Sequence, residues 1–177
     1  MKIKKWNILK IESEYTKDAL TLTLGFGGAK SKNGIVYNKA ANTYVNNPDN
    51  ADFRQIFLNT KYKFDDDNKI IAEYFIADKD KYHFSSDKGA VVQIFTKIGK
   101  VDFYNELVYR SSYTDLMGYE IDAGFDYTAG AIYRYSKHLD LKLKGENIFD
   151  RASMSNIAGV YTSAIERRSI FTLEYTF

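Results

Sequence analysis

Residues 139–150 read LDLKLKGENIFD, and residues 168–177 read RSIFTLEYTF. In the first segment a leucine occupies every second position from Leu139 to Leu143, with charged residues between the leucines. In the second segment apolar and polar residues alternate up to the last residue, Phe177. Because successive side chains of a β-strand point to opposite faces, we predict two strands, each with one apolar and one polar face. The alternation also predicts that the C-terminus belongs to a strand and does not fray.

The same alternation recurs through the rest of the chain, and helical periodicity is almost absent. Further strands are predicted at residues 5–15, 19–29, 53–64, 69–81, 89–98, 101–112 and 120–135. With the two closing segments, this makes nine strands of roughly ten or more residues.

The connections between these strands alternate in length. They are about three, 23, four, seven, two, seven, three and eighteen residues long, so every second one is a tight turn. In an up-and-down meander, all tight turns then lie at one end and all long loops at the other. Barrels of the bacterial outer membrane show this asymmetry. We therefore predict an all-β fold, an antiparallel up-and-down transmembrane β-barrel segment of about nine strands, either partial or closed as a small barrel.

The composition excludes several classes of function. The 177-residue chain has no cysteine, which excludes disulfides and thiolate metal sites, and its net charge of +2 favours no nucleic-acid partner. No apolar run reaches the ~18–20 residues of a membrane helix, and the N-terminal segment lacks the features of a secretory signal. No catalytic constellation, nucleotide loop or metal-ligand spacing is recognisable, so we predict neither an enzyme nor a bound cofactor or metal. The acidic run at residues 65–68 lacks calcium-loop spacing and is predicted to be a turn.

A soluble sheet with one face on a core would alternate too, but three features favour a membrane barrel. The strands approach the ~9–11 residues that cross a bilayer, whereas soluble strands cluster near ~5–6 residues. Glycine and acidic residues on the polar faces suit a polar lumen. Aromatic residues gather at strand ends near the tight turns, as in an interfacial girdle. These aromatic residues are Tyr15, Tyr62, Phe64, Phe103, Tyr133, Tyr135, Tyr175 and Phe177.

The run Asn147-Ile148-Phe149-Asp150, at the end of an alternating strand, resembles the penultimate-strand motif of TonB-dependent outer-membrane receptors. In that family the motif opens the last extracellular loop, and an arginine-rich step then leads into a final strand with a terminal aromatic residue. Here Arg167 and Arg168 precede SIFTLEYTF. Residues 118–150 also resemble the last three strands of the family. The specific resemblance covers about the last 60 residues.

The resemblance implies the wall of a barrel of about 22 strands with a plugged lumen, in the bacterial outer membrane. With nine predicted strands and no plug segment, residues 1–177 are expected to form one β-barrel domain, the C-terminal portion of a receptor. The implied function is uptake of an iron chelate, haem, cobalamin or a similar nutrient. Because the energy-transducing TonB system acts through the plug, we expect that this portion cannot transport alone.

The long loops hold the candidate ligand-binding residues, which could contact a metal chelate or, through a histidine, haem iron. These residues are Asn42, Tyr44, Asn46, Asn47, Tyr82, His83, Asn156 and Tyr161. The alternative is that they are ordinary solvent-exposed loop residues, which have the same composition.

Two further sets of residues have predicted partners. Arg151, Arg167 and Arg168 are candidates for pairing with lipopolysaccharide phosphates. The alternating residues Phe171, Leu173, Tyr175 and Phe177 resemble the signal that the barrel-assembly machinery reads, since a well-patterned last strand is a template for strand addition. Phe177 could also simply anchor the aromatic girdle.

Two alternatives stay open at this point. A complete small outer-membrane barrel with a structural or adhesive role would show the same strands. A soluble, lipocalin-like ligand-binding barrel would place the leucine, isoleucine and tyrosine faces inside.

Overall fold

A computed structural model describes residues 5–32, 35–38, 43–46, 51–79, 86–114, 120–151, 155–157, 160–162 and 166–177. These residues form strands and turns. No helix among them is long and apolar enough to cross a membrane.

Nine strands form one antiparallel sheet in which each strand pairs with its neighbours in sequence order. They are β1 (Lys5–Lys17), β2 (Leu20–Lys32), β5 (Ala51–Lys63), β6 (Lys69–Lys79), β7 (Lys88–Ile98), β8 (Val101–Arg110), β11 (Gly124–Arg134), β12 (Leu139–Glu146) and β15 (Arg168–Tyr175). Three short hairpins lie in the long connections: β3 (Ile35–Asn38) with β4 (Thr43–Asn46), β9 (Tyr113–Thr114) with β10 (Glu120–Ile121), and β13 (Ser155–Ile157) with β14 (Val160–Thr162). The predicted nine-stranded meander is confirmed, and the sheet is open: within the described residues β1 and β15 are not paired with each other.

Several strand ends differ from the prediction. The seventh strand was expected to begin at residue 120, but β11 begins at Gly124, because Glu120 and Ile121 pair with β9 in a loop hairpin. The closing strand ends at Tyr175, two residues before the terminus. The loop expected at residues 30–52 is shorter, since β2 continues to Lys32 and the β3–β4 hairpin fills part of the remainder.

The register keeps apolar residues together across all nine strands. Phe26 lies between Ile11 of β1 and Ile56 of β5, and Ile56 in turn lies opposite Ile76 of β6. At the far edge, Leu141 lies opposite Leu173. This apolar face also includes Leu9, Leu20, Leu22, Leu24, Leu58, Ile70, Tyr74, Val92, Ile94, Leu107, Tyr109, Phe125, Tyr127, Tyr133, Leu143 and Phe171.

The apolar face is not covered by any other layer of the described structure. Leu24, near the middle of β2, is 56% exposed, and Leu173 is 60% exposed. Among the described residues, Ile121 is the only apolar side chain that is buried in a core. Monomeric soluble proteins rarely expose so large an apolar surface, so this face requires an apolar environment.

The opposite, polar face contains glycines that are covered by aromatic rings of a neighbouring strand. A Cβ atom at Gly25 would lie 2.1 Å from the Phe57 ring, and one at Gly89 would lie 2.3 Å from the Phe75 ring. The rings therefore lie directly over the neighbouring backbone, and only glycine leaves room for them. These contacts between rings and glycines pack the polar face, although no second layer of the described structure covers it.

Gly25→Ala is expected to destabilise the sheet by about 1–3 kcal/mol, because the new methyl group displaces the Phe57 ring. Gly27→Ala on the same strand is the matched control, since a Cβ atom at Gly27 has no neighbour within 4 Å. The urea midpoints of the two variants in detergent micelles measure the difference. Equal urea midpoints would show that the Phe57 ring can move aside without a loss of stability.

Candidate functional site

The sequence motif forms a tight corner at residues 146–151, which we call the closing corner. Asn147 and Asp150 have φ angles of 46° and 54°, the left-handed region in which asparagine and aspartate are favoured among non-glycine residues. The N–H of Asp150 donates to the carbonyl of Asn147 at 2.9 Å and closes the turn. The motif thus supplies residue types that this backbone path needs.

Asn147 connects the closing corner to β11. Its N–H donates to Asp126 Oδ1 at 3.0 Å, and its side-chain oxygen accepts the N–H of Arg151 at 3.0 Å. The side chain is almost fully enclosed, at 3% exposure. Backbone bonds from Ile148 to Tyr127 and from Phe125 to Arg151 extend the contact past the end of β12.

Phe149 places an aromatic cluster on the apolar face beside the closing corner. Its ring stacks on Tyr127, with centroids 5.2 Å apart, and meets Phe125 edge-on at 6.1 Å. The Tyr127 hydroxyl donates to Asn105 Oδ1 at 2.8 Å, which satisfies a polar group on this face. The structure therefore brings Asn147, Phe149 and Asp150 together at the long-loop end. The sequence predicted aromatic residues near the tight turns only. The aromatic cluster at the long-loop end was therefore not predicted.

Ion pairs join the strands along the polar face. Glu146, whose side chain is 9% exposed, accepts from Lys144 at 2.6 Å and from Arg168. Lys142 pairs with Glu174 on the neighbouring strand. On β7 and β8, the Gln93 amide donates to Glu106 at 2.6 Å; on β8 and β11, Arg134 donates to Asp102 at 2.9 Å. This face is therefore a polar wall in which several charged side chains pair with each other, three of the pairs across neighbouring strands.

A cavity of about 700 Å³ lies on the same face over β1, β2 and β5. Its lining includes Lys10, Glu12, Gln55, Phe57 and Asn59. The volume falls in the range of small-molecule sites, ~300–1,000 Å³. The described residues contain no group of three or more acidic or histidine side chains placed to hold a metal ion.

The predicted ligand-binding residues fall in two groups. Asn42, Asn47, Tyr82 and His83 lie outside the described residues. Tyr44 and Asn46 belong to β4, while Asn156 on β13 and Tyr161 on β14 are register partners. Both hairpins are in connections at the long-loop end of the sheet, and their role in binding stays a prediction.

The three arginines predicted to meet lipopolysaccharide have different positions. Arg151 is exposed at the closing corner, and Arg167 is exposed just before β15. Arg168 instead pairs with Glu146 on the polar face, so its guanidinium points away from the apolar face. The contact of all three arginines with lipopolysaccharide phosphates stays a prediction.

The residues of the predicted assembly signal line one side of the last strand. Phe171, Leu173 and Tyr175 all lie on the apolar face, and Phe177 meets Tyr175 edge-on at 5.1 Å. His138 holds this end, because its carbonyl accepts the N–H of Thr176 at 2.9 Å and its Nδ1 lies 3.0 Å from the Thr176 carbonyl.

The acidic turn at residues 65–68 is an Asx-type turn, as predicted. Asp65 accepts the N–H groups of Asp67 and Asn68 at 2.9 and 2.7 Å and the Asn68 side-chain amide at 2.8 Å. Asn68 in turn accepts the N–H of Lys97 at 2.8 Å and joins two tight turns. The Asn68 side-chain amide, followed by the backbone N–H groups, holds the pKa of Asp65 below its ordinary value of 3.8.

Because the folded pKa of Asp65 is depressed, its contribution to stability is present above pH 3.8 and is lost as the pH falls through the folded value. Asn68→Ala is expected to raise this pKa toward 3.8, since it removes the largest cause of the shift. A carbon-detected NMR titration of the Asp65 carboxylate in both proteins measures the change. The explanation fails if the unmutated chain titrates at or above 3.8.

Comparison with known structures identifies several proteins of similar fold. The pyoverdine outer-membrane receptor FpvA of Pseudomonas aeruginosa superposes with a TM-score of 0.73 and 14% identity over 98% of this chain and 30% of the receptor. The ferric-catecholate import receptor Fiu of Escherichia coli K12 has a TM-score of 0.73 and 15% identity over 98% of this chain and 28% of its own. The copper transporter OprC has a TM-score of 0.72 and 14% identity, with coverages of 98% and 32%.

These similar structures are receptors and a transporter, and the chain spans about 30% of their length. No family model and no curated sequence gives a significant match to the chain. The likeness rests on architecture: nine antiparallel strands with tight turns at one end and long connections at the other. The resemblance to TonB-dependent receptors inferred from the sequence is therefore confirmed at the level of the fold, over nearly the whole chain.

Proposed function

We propose that this chain forms part of the wall of a nutrient receptor in the bacterial outer membrane, with its apolar face toward lipid and its polar face toward the barrel interior. The observation that carries the proposal is the exposed apolar face that runs unbroken across nine strands. A bilayer satisfies such a face, whereas water does not.

The spacing of the aromatic groups supports a membrane position. Tyr133 lies near the tight-turn end of β11 and Phe125 near its long-loop end, both on the apolar face. They are eight residues apart in the sequence. At ~3.3 Å per residue this is about 26 Å along the strand, or about 20 Å along the membrane normal at a tilt of ~40°. This is close to the ~25 Å apolar band of outer-membrane barrels.

The proposed cargo is a metal chelate or a similar small nutrient, by analogy with the pyoverdine, ferric-catecholate and copper proteins of similar fold. The β3–β4 and β13–β14 hairpins, at the long-loop end, would contribute to the ligand mouth. Transport by the whole receptor would need the plug and the TonB system, so we propose no transport and no enzymatic activity for this part alone. Lipopolysaccharide and the barrel-assembly machinery are its proposed partners, through Arg151 and the last strand.

A soluble lipocalin-like barrel is less compatible with the observations. It would need the apolar side chains packed in an interior, yet Leu24 and Leu173 are more than half exposed. A complete small barrel would need its two edge strands paired, and β1 and β15 are not paired within the described residues.

The proposal is tested by locating the protein in the cells that encode it. An antibody to the chain should detect it in the outer-membrane fraction of a sucrose gradient, resistant to extraction with 6 M urea at about neutral pH, since lipid covers the apolar face. An inner-membrane porter or a periplasmic binding protein of the same cells serves as the fractionation control. Recovery in the periplasmic or cytosolic fraction would refute the proposal.

A further inference from the structure

A slot above Gly130, on the polar face of β11, is the feature from which we infer more. Two other glycines of this face, Gly25 and Gly89, are covered by a phenylalanine ring of a neighbouring strand. A Cβ atom at Gly130 would have only the Leu143 carbonyl oxygen, at 3.3 Å, and Lys144 Cγ, at 3.9 Å, within 4 Å. Within the described residues, therefore, no ring covers Gly130.

The aromatic ring nearest in register to Gly130 is held on the far side of its own strand. Tyr104 of β8 is the register partner of Gly130, and its ring lies 5.2 Å from the ring of Phe95 on β7. β7 and Gly130 are on opposite sides of β8. On the β6 side of Phe95, the Lys69 ammonium lies 4.6 Å from the ring centroid. Because both contacts are attractive, the two rings form a fixed aromatic wall beside the slot.

A cavity of about 470 Å³ occupies the slot. Tyr104 lines one side of it and Ile170 of β15 the other, while Ile132 lies at its tight-turn end. Tyr104 and Lys144 belong to the two strands that flank β11, so their backbones are ~10 Å apart, twice the strand spacing. A ring in van der Waals contact on both faces needs about 7–8 Å between the atoms on either side. The slot therefore has room for a flat ring that stands over Gly130.

The ammonium groups at the rim of the slot are already paired. Lys142 pairs with a glutamate of β15, and Lys144 pairs with a glutamate of β12. A charged ligand would have to break one of these ion pairs or be buried without a partner, and both are unfavourable. The Asp102 carboxylate and the Thr172 hydroxyl also line the cavity, and each can accept a hydrogen bond from a hydroxyl group. The lining therefore favours an uncharged ligand that carries hydroxyl groups.

We propose that the slot over Gly130 binds a flat, uncharged aromatic ring with hydroxyl groups, that is, a ligand of the phenol class. The bound ring takes the place over Gly130 that the phenylalanine rings take over Gly25 and Gly89. The inference rests on the proposed function, because the polar face borders the barrel interior only if the apolar face meets lipid. The slot is then a second site on the inner wall, apart from the hairpins of the ligand mouth, and it holds a phenolic group of the cargo.

NMR of labelled isoleucine methyl groups tests the proposal, with phenol itself as the probe. The full chain, folded in detergent micelles, is titrated with phenol at about neutral pH, where phenol is uncharged because the pKa of a phenolic hydroxyl is about 10. We expect the methyl signals of Ile132 and Ile170 to shift and to saturate, since both side chains line the cavity. The signals of Ile56 and Ile76, on the apolar face, report phenol dissolved in the micelle and should shift in linear proportion to its concentration.

Two substitutions and a matched control locate the site. Gly130→Val should abolish the saturable shift, because the new side chain fills the slot. Tyr104→Leu should weaken phenol binding about tenfold, since it removes part of the aromatic wall, and it keeps the test decisive if Gly130→Val does not fold. Gly27→Val is the control: it is on the same face but outside this cavity, a Cβ atom there has no neighbour within 4 Å, and binding should be unchanged.

Competition experiments test the class of ligand. Cyclohexanol, which is not flat, and benzoate, which is charged, should not displace phenol at concentrations that saturate the phenol shift. Displacement by either one would overturn the assignment to uncharged aromatic rings. Linear shifts at Ile132 and Ile170 with phenol would overturn the site itself. Either contrary result leaves the outer-membrane location standing, whereas a protein found outside that membrane would remove the proposed function but not the measured binding.

Discussion

Leu24→Arg should prevent stable insertion of the sheet into a membrane, whereas Thr23→Arg at the adjacent position should be tolerated. Leu24 lies near the middle of β2 on the apolar face, between Ser13 and Leu58. An arginine at the bilayer midplane of a barrel costs about 2–4 kcal/mol. Thr23 points to the polar face, where its register partners are Glu14 and Asn59, and an added cation is well placed there.

Both variants can be folded in phospholipid vesicles at increasing urea concentrations, with the fluorescence of the single tryptophan as the signal. The expected result is a large drop in midpoint for Leu24→Arg only. If Thr23→Arg were the damaging change, the polar face would be the one in contact with lipid. The interpretation of the sheet as a lipid-facing wall would then be wrong.

Asn147→Ala should loosen the closing corner and destabilise the chain by about 2–5 kcal/mol. Two losses add up: a non-glycine residue without a polar side chain costs ~1–2 kcal/mol in the left-handed region, and the N–H of Arg151 loses its acceptor at ~1–3 kcal/mol. The first loss follows from the φ of 46° at Asn147, and the second from the 3.0 Å hydrogen bond that Asn147 accepts from the N–H of Arg151.

Two further substitutions separate these losses. Asn147→Gly removes the acceptor and keeps the backbone freedom, so it should lose about half as much stability. Asn147→Asp keeps a side-chain acceptor and tolerates the left-handed backbone, but its carboxylate replaces the amide that donates to Asp150 Oδ1 at 3.4 Å, so it should still be less stable than the unmutated chain. The urea midpoint and the rate of proteolysis at the long-loop end report the order. Equal stability of the alanine variant and the unmutated chain would show that the corner does not depend on Asn147.

The strands were predictable because the period-two pattern is local. Leu139, Leu141 and Leu143 define a face from the sequence alone, and the short and long connections then give the order of the strands. The ends of the seventh strand were not predictable, since Glu120 and Ile121 continue the alternation but pair with β9. A local pattern does not show which neighbouring strand the end of a strand pairs with.

The site was predictable only in part, for a similar reason. Asn147, Phe149 and Asp150 stood out as a motif, yet their roles depend on Asp126 and Tyr127 of another strand. The pairing of Arg168 with Glu146 depends on the β12–β15 register, which residue types do not reveal. The rings over Gly25 and Gly89 were missed because a glycine in a strand looks the same whether it is covered or open.

The most direct test of the central claim is the environment of successive side chains along β5. Single nitroxide labels at residues 55–60, in vesicles, report collisions with oxygen, which concentrates in lipid, and with a water-soluble nickel chelate. We predict a period-two oscillation, with oxygen contact highest at Ile56, Leu58 and Thr60 and nickel contact highest at Gln55, Phe57 and Asn59. The opposite phase, or no oscillation, would contradict a sheet that faces lipid on one side and a polar interior on the other.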